Sequence, residues 1–161
     1  MPTPFVAPAT EMEGLALFLD LQREAMATKL DDLSEDQARA TPTPSSLCLL
    51  SIVKHLAFVD RRWFQLAMAG RDIPGLWPPA DPGQELRVEP GETLESVRAL
   101  YEDIAAESRA IASAASPADA CHPSDTGINV RWVMLHMIEE TARHAGHADI
   151  IREAIDGRAG T

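Results

Sequence analysis

The chain has 161 residues, enough for one domain with a sizeable core, and its 45% hydrophobic and 24% charged residues exclude a disordered or fibrous chain. A formal charge of −11 at pH 7, from 25 acidic against 14 basic residues, excludes the basic surface on which nucleic-acid affinity depends. No stretch reaches the ~18 consecutive apolar residues of a membrane span, and Met1 to Thr10 has neither the basic residues nor the apolar run of a signal peptide or anchor, so a cytoplasmic protein with no membrane partner is expected.

A single domain over residues 1–161 is expected, with a tail at 1–10. Thr10 and Glu13 make a capping box, and Leu15, Phe18, Leu19, Gln22, Met26, Leu30 and Leu33 follow at helical spacing, which predicts a first helix from Glu11 to Leu33. Ser34 and Gln37 repeat the capping signal, but Thr41 to Pro44 allow only a short turn there. Ser45 or Ser46 is the expected cap of a second helix, apolar at Leu49, Ile52, Val53, Leu56, Val59, Trp63 and Ala67 and stopped by Gly70. The proline-rich residues 71–92 predict a long connection, a lid or a crossover. Thr93 opens a third helix running to Ala115, residues 116–129 connect, and a fourth helix runs from Val130 to Ile155, stopped by Asp156 and Gly157. Four amphipathic helices and no period-two stretch predict an all-α four-helix bundle.

Chemistry concentrates in the last helix, where HMIEETARHAGH places His136, Glu140, His144 and His147 within about 80° of one another. Glu140 lies in line with Val133, Met137 and Ile151, so its carboxylate is expected to point inward and to need a partner. Its neighbour Glu139 faces away, with Arg143 at i+4, as an ordinary surface ion pair. Glu140 and His144, one turn apart, can reach one ion, and His55 is the best third donor because it shares a face with Ile52, Phe58 and Val59. Two histidines and a carboxylate leave coordination positions open, as in catalytic zinc and non-haem iron sites. The residues alone equally allow a hydrogen-bonded Glu140–His144 couple and a His55 satisfied in the core.

The remaining candidates read more plainly. His136 and His147 are alternative ligands or supports of the ligands, and His122, beside Pro123, is expected in solvent. Trp63 and Trp132 are expected to pack in the core, and Trp77 to anchor the 71–92 connection or to close over a pocket. Cys48 and Cys121 fit no zinc spacing and are expected reduced and structural. An HExxH pair, a Gly-rich phosphate loop, a nucleophile elbow and the two Glu-x-x-His motifs of a di-iron bundle are all absent from the sequence.

The segments SSLCLLSIVKHLAFVDRRWF (Ser45 to Phe64) and VRWVMLHMIEETARHAGHADIIREAIDG (Val130 to Gly157) resemble the DinB superfamily, and most nearly its actinobacterial mini-circle subgroup. The resemblance covers nearly the whole chain and implies a four-helix bundle of DinB type. It also implies a metal held by one histidine of the second helix and two residues of the last. His55 matches the former; His144 matches the histidine of the usual His-Arg-Gly-Gln stretch, here His-Ala-Gly-His. Glu140 stands where many members have another histidine, and a glutamate there is similar to the mycothiol-dependent maleylpyruvate isomerases.

What the resemblance implies for function is a divalent ion (zinc first, nickel or iron otherwise) and mycothiol as thiol cofactor, with a small-molecule thiol and an electrophile as partners and a homodimer as assembly. Two functions follow: a metal-dependent thiol S-transferase or isomerase, or a non-enzymatic, stress-related binding protein whose metal is structural or vestigial.

Overall fold

Helix α1 (Glu11–Ala27) begins where Thr10 accepts a hydrogen bond from the Glu13 backbone N–H, while the Glu13 carboxylate accepts from the Thr10 N–H. The computed structural model describes residues 7–81 and 83–159, so the first six residues of the expected 1–10 tail, Pro82 and residues 160–161 lie outside the described residues. The first helix was expected to reach Leu33, but α1 ends at Ala27 and a 3₁₀ turn, Thr28–Leu30, follows. Asp31 and Asp32 would add negative charge to the negative end of the helix dipole. The carbonyls of Lys29 and Asp31 instead accept from buried Arg152 at 2.9 and 2.8 Å.

Ser34 and Gln37 do form a capping box, on the five-residue helix α2 (Glu35–Arg39). Helix α3 (Leu49–Asp60) is capped by Cys48 rather than by a serine: its Sγ accepts from the Ser51 N–H and the Ser51 hydroxyl accepts from the Cys48 N–H at 3.1 Å. The Ser45 hydroxyl is engaged by the N–H of Leu47 and is unavailable for that role. The rod continues through Arg61–Met68 as π-helix. There Ala69 N–H bonds back to Phe64 C=O, five residues away, so faces inferred from a 3.6 period drift out of register. Helix α4 (Leu94–Ser113) has a Thr93–Ser96 capping box, and α5 (Val130–Asp156) starts at the Asn129 cap and ends at Gly157 in the left-handed region.

The long rods α1, α3 with its π-helical extension, α4 and α5 make the bundle. Helix α1 packs on α5 and α4, and α3 packs on α4 and α5, which sets α1 diagonally opposite α3. The described residues form no strand; a single bridge joins Ala120 and Asn129. Two apolar clusters fill the interior, one around Met26, Leu56, Tyr101 and Ile151, the other around Leu19, Phe64, Val133 and Met137. Side chains of this size contribute about 1.5–3 kcal/mol each on burial.

Each rod carries one buried polar residue near the boundary of the two clusters: Arg23 on α1, Asp60 on α3, Ser108 on α4 and Thr141 on α5. Arg23 bonds both Asp60 oxygens at 2.9 Å across the core, so the two charges of this layer are paired, while the Ser108 hydroxyl makes no hydrogen bond among the described residues. Cys48 and Cys121 are both buried and free, as expected.

Candidate metal centre

His55 comes from α3, and Glu140 and His144 come from consecutive turns of α5, at the level of the polar layer. The Nε2 atoms of His55 and His144 lie 3.4 and 3.2 Å from the same oxygen, Oε1 of Glu140. The two imidazole centres are 5.0 Å apart. One donor atom from each of the three falls within 4.8 Å of the others, a grouping that can hold a metal ion. All three side chains are half-buried: Glu140 sits in the seam between α3 and α5, beside the apolar core rather than inside it.

The donor set fits a divalent cation. Nitrogen and oxygen donors about 2.1 Å from a tetrahedral ion are separated by about 3.4 Å. The two measured nitrogen–oxygen separations match that figure, and all the donors are types that zinc, nickel and iron accept. Burial raises the Glu140 carboxyl, but the adjoining His144 and the contacts with both histidines outweigh it, and the group is held below its ordinary value. Burial, reinforced by the neighbouring His55, pushes His144 down, which keeps it neutral near pH 7 and leaves a ring-nitrogen lone pair free to bind. Glu139 and Arg143 form the expected surface pair, and Arg143 also lies 3.6 Å from Glu140 Oε2.

The other two histidines of the α5 cluster stand outside the triad. The His136 ring packs against both Trp63 and Trp132, about 5 Å from each centre and nearly parallel to Trp132. His147 is exposed, its ring edge-on to His144 at 5.5 Å. Of the two tryptophans expected to pack in the core, Trp63 packs against the Leu19, Phe64 and Met137 cluster, whereas Trp132 is 45% exposed, and the pair forms an aromatic wall with His136.

A cavity of about 330 Å³ opens beside the triad, lined by His55, Glu140, His136, Trp63, Arg62 and Trp77 among others. The Trp77 ring lies under the Arg62 guanidinium at 4.6 Å, so this tryptophan both anchors the connection and borders the cavity. His122 is exposed by area, as expected, but is not adrift. Its N–H bonds the Ala67 carbonyl at 2.7 Å, its ring packs where Gly70, at φ +64, leaves space, and it borders the same cavity. Cys121 also borders it, with a thiol that burial pushes up and leaves a poor nucleophile.

Glu85, in a one-turn 3₁₀ helix (Gln84–Leu86) of the 71–92 connection, was not identified from the sequence. Its carboxylate is buried against the Arg62 guanidinium, and its Oε2 lies 3.4 Å from His55 Nδ1. Nothing in the sequence separates it from Glu89 or Glu92 of the same connection; only burial does.

A family model described as mycothiol-S-transferase matches residues 14–157. A solved structure, the conserved protein of a locus from Enterococcus faecalis, aligns over 94% of this chain and 100% of its own at 17% identity with a TM-score of 0.61, a likeness of fold alone. No curated protein matches the sequence.

Proposed function

The chain belongs to the mycothiol-S-transferase family, a DinB-like fold family, and on that premise we propose that it is a metal-dependent thiol S-transferase. The observation that carries the reading is the convergence of His55, Glu140 and His144 beside a cavity large enough for a small molecule, which His55 and Glu140 line. In this reading the three residues hold a divalent ion, zinc first and nickel or iron otherwise, and the cavity seats mycothiol or a related low-molecular-weight thiol with its electrophile.

A bound divalent cation lowers the pKa of a coordinating thiol and keeps it as thiolate at neutral pH. The protein's own residues do the rest. Glu140, ionised, offsets the cation's charge, and His144, neutral, binds through its ring nitrogen. His136 borders the cavity without belonging to the triad, and we assign it the proton that the thiol loses on binding. Trp63, Trp77, Val59 and Leu66 shape an apolar wall that excludes water and suits an apolar electrophile.

The alternative, a closed structural site, requires a fourth protein ligand. His147 is the further candidate of the last helix, and its exposed position outside the grouping favours the open site. Cytoplasmic placement belongs to the proposal and rests on the family; among the described residues no helix is long and apolar enough to cross a membrane.

The test is two measurements on tag-free protein. Elemental mass spectrometry should find about one equivalent of metal. The loaded protein should then consume mycothiol together with one of a panel of electrophiles. Metal-loaded protein that consumes neither mycothiol nor related thiols would remove the transferase reading.

A further inference from the structure

Glu85 is a carboxylate brought to His55 from a connection that otherwise has no part in the triad. A buried carboxylate needs partners to offset its lost hydration. Arg62 is one, and His55 Nδ1, 3.4 Å from Oε2, is the other polar atom beside it. His55 Nδ1 is itself buried and makes no hydrogen bond. Its separation from Oε2 exceeds a good N–H···O bond by about half an ångström, which a small rotation of either side chain closes. His144 Nδ1 is buried and unbonded too, but among the described residues no carboxylate pairs with it, so the two histidines differ in their support.

We propose that Glu85 is a positioning residue for the metal centre: it accepts the Nδ1–H of His55 and so fixes the tautomer whose Nε2 lone pair faces Glu140 and His144. The inference rests on the metal-site reading above. It deepens that reading by making the 71–92 connection part of the site. Arg62 bonds Glu85 and lies over Trp77, so the cavity border and the ligand histidine share one chain of contacts. An outer carboxylate of this kind raises the basicity of the histidine and holds its ring, and its removal typically lowers metal affinity by about 10–100-fold.

The experiment compares full-length wild type, Glu85→Ala and Glu85→Gln. Zinc affinity is read by competition with a chromophoric chelator, the ligand field by the visible absorption of the cobalt(II) form, and fold by the thermal midpoint without metal. The alanine variant should lose about 10–100-fold in zinc affinity with a shifted cobalt spectrum. The glutamine variant, which keeps a neutral acceptor in place, should lose less and retain a spectrum nearer to wild type; it carries the test if the alanine variant does not fold. Wild-type affinity in the variants overturns the inference, as does a lowered midpoint without metal accompanied by an unchanged cobalt spectrum, since that marks a structural role alone. Wild-type protein that takes up no zinc or cobalt overturns the metal-site reading itself and this inference with it.

Discussion

Stability should report occupancy of the triad. A ligand that binds only the folded state stabilises it by about 2.7 kcal/mol at one hundred times its dissociation constant. Unfolding entropy of about 2.1 cal/mol/K per residue amounts to about 0.34 kcal/mol/K for a chain of this length, so the midpoint should rise by about 8 °C. In the structure the rise depends on three particular atoms, the Nε2 of His55 and of His144 and Oε1 of Glu140. Glu140→Gln preserves size and an acceptor but removes the charge, and His55→Ala removes a donor from the opposite helix. Each should leave the metal-free midpoint within a few degrees of wild type and abolish the zinc-dependent rise. Magnesium, which prefers all-oxygen octahedral sites, should raise none of them. The assay is thermal unfolding followed by circular dichroism after chelator treatment, with and without added zinc or nickel. An equal rise in wild type and both variants would place the ion elsewhere; no rise in wild type at saturating zinc would refute the triad as a metal centre.

Four further outcomes can be measured. Asp60→Ala leaves Arg23 buried with only the 3.3 Å contact to Asp20, and should cost about 3 kcal/mol, or about 9 °C; an urea titration showing a loss below about 1 kcal/mol would contradict a buried pair. Replacing both partners, Arg23→Met with Asp60→Ala, should recover most of that loss because no unpaired charge remains. Glu35 is held below its ordinary value first by the Leu94 N–H, and Asp156 first by its bond from Arg152. The unfolded chain therefore binds more protons, and their stabilisation, present above about pH 4.5, should be lost as pH falls through the lower folded values; a midpoint that stays flat down to about pH 3 would contradict this. Trp132, Leu135 and Ile150 are exposed along one outer face of α5, and a homodimer through that face should become monomeric in Leu135→Glu by sedimentation velocity. A wild-type monomer would remove the dimer expectation.

Helix starts and stops were legible because their causes lie within a few residues. The Thr10–Glu13 box, the Ser34–Gln37 box and the Gly157 stop act on the backbone nearest to them, and the structure uses all three. The pairing of Glu140 with His144 was legible for the same reason, since one helical turn fixes it. That His55 meets them required the packing of α3 on α5, and the sequence marks it only by an apolar face and a family resemblance. The early end of α1, set by Asp31, Asp32 and an arginine more than a hundred residues away, was not legible; nor were the π-helical turns around Trp63. Glu85 lay furthest out of reach: among several acidic residues of a proline-rich connection, its distinction comes from burial against Arg62 and His55. Hydrogen bonds between near neighbours are written in residue spacing, whereas the environment of a charge is created by segments remote in sequence and exists only once they have packed.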